Sequence, residues 1–284
     1  MEIMHASLFL KESFELGESP FYDPRFHRYS WVDIIRGQVW TMDGSGKRSC
    51  FECGQPVGAA VPVKDREGLL LFGKDGIYYL ENNAMTKIRD LTDVFKPFLR
   101  SNDAKADPMG RVFFGSSLAE DGYEPQGDLY RYDETGIKLM EKHTKIANGM
   151  AWNKARDRFY FADSEEHAVF VYDYDVKTGD ICNKRVLFTV EDGVPDGLCI
   201  DCRDQLYTAV WGDSRTEKRS GLTGEKLAEI RVDARQVTSC CFGGEKRTTL
   251  FITTAKTGQT GKYDGSLFCF ETGEEGPEPD YAVL

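Results

Sequence analysis

Short runs of aromatic and β-branched residues alternate along the chain with polar segments rich in Gly, Asp and Asn. Runs of this length, without apolar spacing at the helical period, predict β-strands separated by turns. Six stretches share one order: a polar turn, a short strand pattern, a few residues and a second strand pattern. Their turns begin at Asp23, Asp65, Asp107, Asn153, Asp201 and Glu245. The pattern therefore predicts an all-β chain built from a repeat.

The spacing of these turns indicates which all-β fold to expect. Successive turns are 42, 42, 46, 48 and 44 residues apart. A period in the forties that contains several strands is typical of a propeller blade, and six such blades account for nearly all of the 284 residues. We therefore expect a single six-bladed β-propeller domain over residues 1–284, closed by an N-terminal strand near residues 6–10 that joins the last blade. A β-sandwich with regular turns is the alternative, but nothing in that fold requires this period.

The repeat also places one position of each blade at an equivalent point around the propeller axis. Five residues before the six turns, the chain has Glu18, Ala60, Asn102, Asn148, Asp196 and Cys240. If the segment before each turn is the innermost strand, these side chains line a central channel. Four of them offer carboxylate or carboxamide oxygens, which suit calcium, magnesium, manganese or zinc. Asn148–Gly149 and Asp196–Gly197 are also favourable turn dipeptides, so a purely structural role as turns is the alternative for each.

The chain resembles the family of SMP-30, gluconolactonase, regucalcin and luciferin-regenerating enzyme in several motifs and in their order. The motifs are LGESPFYDP (16–24), RSNDAKADPMGR (100–111), ANGMAWN (147–153), FVYDYDVKTGDICNKR (170–185), VPDGLCID (194–201) and QVTSCCFGG (236–244). The resemblance implies a six-bladed propeller that holds one divalent metal ion in its central channel. It also implies a metal-dependent lactonase that opens a small lactone, with a sugar lactone as the expected substrate.

The resemblance assigns roles to individual residues. It implies Glu18, Asn148 and Asp196 as metal ligands, with Asp196 also the first candidate for the general base that takes a proton from the attacking water. A carboxylate bound to a metal is a weaker base, so the ligand role of Asp196 is the firmer of the two.

Substrate contacts are implied by the Arg-x-Asn-Asp motif, which maps onto Arg100, Asn102 and Asp103. Arg100 and Asn102 are suited to hold substrate hydroxyls or a developing oxyanion. Ala104 stands where the family usually has Gly, and the segment 118–126 corresponds to the variable cover of the pocket. These departures leave the identity of the lactone open.

Composition and charge narrow the possible partners. The net charge of −11 argues against a nucleic-acid partner, because phosphate backbones require clustered Lys and Arg. No segment approaches the roughly 20 apolar residues of a membrane helix, and residues 1–15 lack the pattern of a secretory signal. The eight cysteines are then expected to be reduced thiols, with a zinc site from the pairs Cys50/Cys53 and Cys199/Cys202 as a remote alternative. We expect a cytoplasmic protein, a monomer or weak homo-oligomer, whose partner is its lactone substrate.

Other catalytic motifs are missing from the sequence. There is no G-x-S-x-G elbow and no phosphate-binding G-x-x-x-x-G-K-[ST] loop, and the four histidines do not form a metal-type pair. Two rival functions remain open: a non-catalytic calcium-binding or regulatory propeller, and a metal-dependent esterase or phosphotriesterase. The second would use the same metal and base as a lactonase, so the sequence does not separate them.

Overall fold

The computed structural model describes residues 2–120 and 122–284, and its regular structure is almost entirely β-strand. In those ranges the chain forms 25 strands and a single short 3-10 turn at Ser164–Glu166. None of the described segments forms a helix that is long and apolar enough to cross a membrane. The strands begin with β1 (Glu2–His5) and β2 (Ser7–Leu10).

Four separate antiparallel sheets of four strands follow in chain order. The first sheet contains β3 (Gly17–Asp23), β4 (Arg28–Asp33), β5 (Gln38–Met42) and β6 (Arg48–Glu52). The second contains β7 (Val57–Pro62), β8 (Leu69–Gly73), β9 (Gly76–Glu81) and β10 (Ala84–Asp90). The third contains β11 (Leu99–Ala106), β12 (Val112–Leu118), β13 (Gly127–Asp133) and β14 (Gly136–Thr144). The fourth contains β15 (Ala147–Trp152), β16 (Arg158–Asp163), β17 (Ala168–Asp175) and β18 (Asp180–Thr189).

The rest of the chain forms one larger sheet instead of separate blades. Its strands are β19 (Val194–Ile200), β20 (Gln205–Trp211), β21 (Arg215–Ser220), β22 (Lys226–Arg231), β23 (Gln236–Gly243), β24 (Thr249–Ala255) and β25 (Leu267–Glu271). With β1 and β2 they make a nine-stranded sheet in the order β1-β22-β21-β20-β23-β24-β25-β2, with β19 paired to β20. Trp211 at the end of β20 pairs with Gln236 at the start of β23, and this pair joins the two halves of the sheet.

The prediction of a six-bladed propeller is therefore wrong. The fold is an all-β propeller of four four-stranded blades and one nearly closed nine-stranded sheet. The spacing of a sequence repeat records how often a strand pattern recurs, but it carries no information on hydrogen bonds between neighbouring repeats. Those bonds decide where one sheet ends and the next begins.

Both edges of the nine-stranded sheet are completed by the N-terminal residues. β1 runs parallel to β22, with Glu2 opposite Ala228, and β2 runs antiparallel to β25, with Ser7 opposite Cys269. β22 and β25 are thereby paired on both sides, and the edges of the sheet are the two short strands β1 and β2.

Six buried strands surround a common axis. The first strand of each blade and two strands of the large sheet contact one another in a closed ring: β3 packs on β7 and β23, β11 on β7 and β15, and β19 on β15 and β23. Gly58, Gly149 and Gly197 allow this close approach, because a Cβ atom on any of them would lie 2.0–2.5 Å from an atom of the neighbouring strand. The ring defines a central channel, and apolar side chains between the sheets form the core around it.

Candidate active site

An irregularity in strand pairing turns polar side chains toward the channel. The pairing between β3 and β4 shifts at Glu18, and equivalent shifts occur in β11 at Asn102, in β15 at Asn148 and in β19 at Asp196. A β-bulge of this kind breaks the in-and-out alternation of a strand and re-aims a side chain, which is why bulges are common beside active sites. Asn148 and Asp196 lie inside strands, so the alternative of a simple turn at each of these dipeptides is wrong.

A chain of hydrogen bonds orients the carboxamides of the channel. Arg100 Nη1 donates to Asn102 Oδ1 at 2.7 Å, and Asn102 Nδ2 donates to Asn148 Oδ1 at 2.8 Å. Asn148 Nδ2 in turn donates to Ser164 Oγ at 2.8 Å, and the Ser164 hydroxyl donates to the Pro195 carbonyl at 2.7 Å. Each amide therefore has a defined orientation, and the chain links three neighbouring inner strands.

Sequence reasoning did not find Ser164. It lies in the 3-10 turn after β16, outside the repeat position that the inner strands share. No motif in the sequence marks it, and its contact with Asn148 arises only when the fourth blade is folded. The other residues predicted from the sequence are brought together in the channel.

Three buried carboxylates face one another at this level of the channel. Glu18, Asp103 and Asp196 are each less than a tenth exposed. Burial raises the pKa of Glu18, and the nearby Asp103 carboxylate raises it further. Burial also raises the pKa of Asp196, with added repulsion from Glu18 and Asp103. Negative charge on these groups is therefore unfavourable unless a proton or a cation neutralises it.

Two cations partly balance this charge. Arg100 is half-buried, and burial lowers the pKa of its guanidinium to about 10 although Glu18 and Asp196 oppose that shift. Lys105 extends across the channel and donates from Nζ to the Leu198 carbonyl at 2.8 Å. When all three carboxylates are ionised, they outnumber these two cations, and a further cation would favour that ionised state.

The donor set fits an oxygen-binding divalent cation. Among the described residues, no three His, Cys, Asp or Glu side chains form a metal cluster on their own. A cation in the channel would thus need an Asn oxygen beside the carboxylates, and Asn148 Oδ1 is held in a fixed direction by Asn102. Carboxylate and carboxamide oxygens are ligands of calcium, magnesium and manganese, and carboxylates also bind zinc.

The segment 118–126 contributes surface residues. Glu120 forms an ion pair with Lys74 at 3.2 Å and is more than half exposed. Tyr123 stacks on Phe98, with ring centroids 4.1 Å apart. Glu124 is exposed, and Asp121 lies outside the described residues.

Comparison with known proteins identifies the family. A sequence model of the SMP-30/Gluconolactonase/LRE-like region matches residues 16–256. The chain belongs to the SMP-30/gluconolactonase/LRE-like family. The resemblance drawn from its motifs is thereby confirmed.

Relatives from several sources span almost the whole chain. YvrE of Bacillus subtilis (strain 168), whose name refers to sugar lactone lactonase, is 32% identical over 278 residues, covering 93% of this chain and 94% of YvrE. Regucalcin of Danio rerio is 30% identical over 257 residues, covering 88% of this chain and 86% of the regucalcin. A solved luciferin-regenerating enzyme superposes with a TM-score of 0.90 at 26% identity, covering 98% of this chain and 100% of the enzyme.

Proposed function

We propose that this protein is a divalent-metal-dependent hydrolase that opens a small sugar lactone. The observation that carries the proposal is the convergence of Glu18, Asn148 and Asp196, from three inner strands, beside Arg100 and Asn102. The name of the relative YvrE supports the lactone as substrate class.

Glu18, Asn148 and Asp196 are the residues that would hold the cation. A divalent cation there would supply Lewis-acid polarisation of an ester carbonyl and a lowered pKa for water. Asn102 holds Asn148 in place for this role, because its Nδ2 is already committed to Asn148 Oδ1 and to the Ala147 carbonyl at 2.9 Å.

The chain's own residues perform the remaining steps of a hydrolysis. The Asp196 carboxylate takes a proton from the attacking water, and the new C–O bond forms at the lactone carbonyl carbon. Arg100 uses one Nη group for Asn102 and the Ser101 carbonyl, so its other N–H groups can donate to the oxyanion or to sugar hydroxyls. The ring C–O bond then breaks, the leaving oxygen gains the proton, and the product is an open-chain hydroxycarboxylate.

Asp103 is suited to recognise a polyhydroxylated substrate. Its carboxylate is buried next to Glu18 and is an acceptor for hydroxyl groups. A site that contains both Arg100 donors and an Asp103 acceptor discriminates in favour of hydroxyl-bearing lactones, since an apolar lactone would leave these groups without partners.

The direct test is proton release from a panel of aldonolactones by metal-stripped protein supplied with calcium, magnesium, manganese or zinc in turn. We expect turnover only with an added cation and a loss of at least about a hundredfold in Asp196→Asn. Asp93→Asn is the matched control, because Asp93 is an exposed partner of Arg89. Tight metal binding without turnover of any lactone would contradict the proposal and favour a calcium-binding protein. If the protein hydrolyses open-chain esters or phosphotriesters but no lactone, the substrate class in this proposal is wrong.

A further inference from the structure

A second cavity lies further along the same inner strands. Tyr22, Ala106, Trp152 and Ile200 line it, and each follows a channel residue of the candidate active site by four positions on its strand. Four residues of a strand span about 13 Å. The cavity has a volume of about 390 Å³, which is within the usual range for small-molecule sites. We call it the distal cavity.

The distal cavity is separate from the candidate active site. Its lining includes none of the carboxylates or carboxamides of the candidate active site. A separate space of about 20 Å³, lined by Asp103, Lys105 and Ser239 among others, lies beside Asp103. That volume holds roughly one water molecule, so an organic ligand does not fit into it.

One wall of the distal cavity is formed by the C-terminal strap, residues 272–284. The strap is held at one end by the N–H of Gly276, which donates to the Arg247 carbonyl at 2.8 Å. At the other end the N–H of Val283 donates to the Gly110 carbonyl at 2.9 Å. The segment between these bonds contributes two prolines to the lining, and the wall is therefore fixed in place.

Charged side chains in the distal cavity are unevenly paired. The lining contains four cations and three carboxylates: Lys105, Lys154, Arg156, Arg247, Asp201, Glu278 and Asp280. Arg247 is paired with Glu278 at 2.8 Å, and Asp201 Oδ1 accepts two backbone N–H bonds of its own turn.

Three cations remain without a direct carboxylate partner. Within residues 2–120 and 122–284, Lys105, Lys154 and Arg156 have no carboxylate oxygen within 4.0 Å, and Asp280 is the remaining acid that faces them. Of the three N–H donors of Lys105, one is bonded, to the neutral Leu198 carbonyl. A partly buried ammonium with free donors favours an anion. This local preference is opposite to that of the protein as a whole, which has a net charge of −11.

The other walls of the distal cavity are aromatic and apolar. Phe21, Tyr22, Trp152 and Phe242 line it, and Tyr22 and Trp152 are buried. An inorganic anion would leave these surfaces in contact with water, whereas a ligand with an apolar body would cover them.

We propose that the distal cavity binds a small organic anion, namely a carboxylate carried on a compact aromatic or apolar body. Lys105 contacts the carboxylate from the channel side, Arg156 and Lys154 provide positive charge at the rim, and the aromatic walls contact the body of the ligand. This site does not depend on lactone hydrolysis, because Lys105 is the only residue it shares with the charges around the candidate active site within the described residues, and none of the proposed metal ligands lines it.

Fluorine NMR titration of the full-length protein tests this site. Three probes separate the contributions: 4-fluorobenzoate has both features, 4-fluorobenzamide lacks the charge, and fluoroacetate lacks the aromatic body. We expect saturable binding of 4-fluorobenzoate and at least about tenfold weaker binding of the other two probes. The benzamide loses the charge-assisted hydrogen bond, and fluoroacetate loses the apolar contact. Equal affinity for the benzoate and the benzamide, or no saturable binding, would overturn the proposal.

Variants locate the bound probe. Lys105→Met should weaken 4-fluorobenzoate binding about tenfold, whereas Lys142→Met, at an exposed lysine of β14, should leave it unchanged. If Lys105→Met does not fold, Arg156→Asn is the second variant, because Asn tolerates the positive φ of 58° at this position. It should weaken binding several-fold. Asp196→Asn should not change the affinity, and a loss of binding in that variant would place the probe at the candidate active site instead.

Discussion

Hydrogen bonds between side chains set the geometry of the channel residues. Asn148 has both ends of its amide committed, since Oδ1 accepts from Asn102 and Nδ2 donates to Ser164. An Asn without these partners could rotate and present its NH₂ group to a cation. The residues that hold Asn148 are therefore as important for a metal site as the ligand itself.

Ser164→Ala tests this positioning role. The substitution removes the acceptor of Asn148 Nδ2, so we expect metal affinity to fall roughly tenfold while the fold is retained. Calorimetric titration of the stripped protein with calcium or manganese measures the effect. Ser117→Ala is the control, a buried serine on β12 outside this hydrogen-bond chain. Unchanged metal affinity in Ser164→Ala would show that Asn148 is held by other contacts.

The inner strands depend on small residues for their close packing. In β19, a Cβ atom at Gly197 would lie 2.0 Å from Ser239 Oγ and 2.5 Å from Ser239 Cβ, and the neighbouring strand β23 would have to move. Gly197 directly follows Asp196, so any such movement also displaces a residue of the candidate active site. The glycines of the Asn-Gly and Asp-Gly dipeptides thus serve strand packing.

Gly197→Ala is expected to lower the free energy of unfolding by about 1–3 kcal/mol, because a buried methyl group must be accommodated by strain. Chemical denaturation measures the loss. Gly44→Ala is a matched control, since a Cβ atom at Gly44 would meet its nearest neighbours at 3.7 Å and its φ is not positive. Equal stability of the two variants would contradict the role of Gly197 in packing.

For the whole molecule, the acidic channel is a source of instability unless a cation occupies it. Glu18, Asp103 and Asp196 repel one another in a buried site, and the positive charges of Arg100 and Lys105 do not fully compensate them. A ligand that binds only the folded state stabilises it by about 2.7 kcal/mol at a concentration a hundred times its Kd.

Metal and the Asp196→Asn substitution should therefore have opposite effects on stability. In the presence of a chelator, Asp196→Asn should raise the melting temperature by removing a buried charge, whereas with saturating cation it should melt below the wild-type protein. Thermal unfolding with and without added calcium measures both. A lower melting temperature of the variant under both conditions would mean that Asp196 has a structural role unrelated to a cation.

The repeat, the strand pattern and the channel position of Glu18, Asn102, Asn148 and Asp196 could be inferred from the sequence alone. Strand periodicity and turn residues are local properties, and a repeat brings equivalent positions to equivalent places around an axis even when its spacing varies between 42 and 48 residues. The metal-binding and catalytic roles of these residues stay predictions, while membership of the family is established.

Tertiary structure decided what depends on contacts between distant segments. The pair Trp211–Gln236 merges the last strands into one nine-stranded sheet, a backbone contact for which the repeat has no signature. Ser164 meets Asn148 only when the fourth blade folds. Lys105 reaches Leu198 because strands far apart in sequence converge on one axis. The distal cavity likewise exists because the C-terminal strap crosses the ends of the inner strands. Local patterns determine which strands form and which chemistry they carry, whereas packing determines which strands share a sheet and what space remains between them.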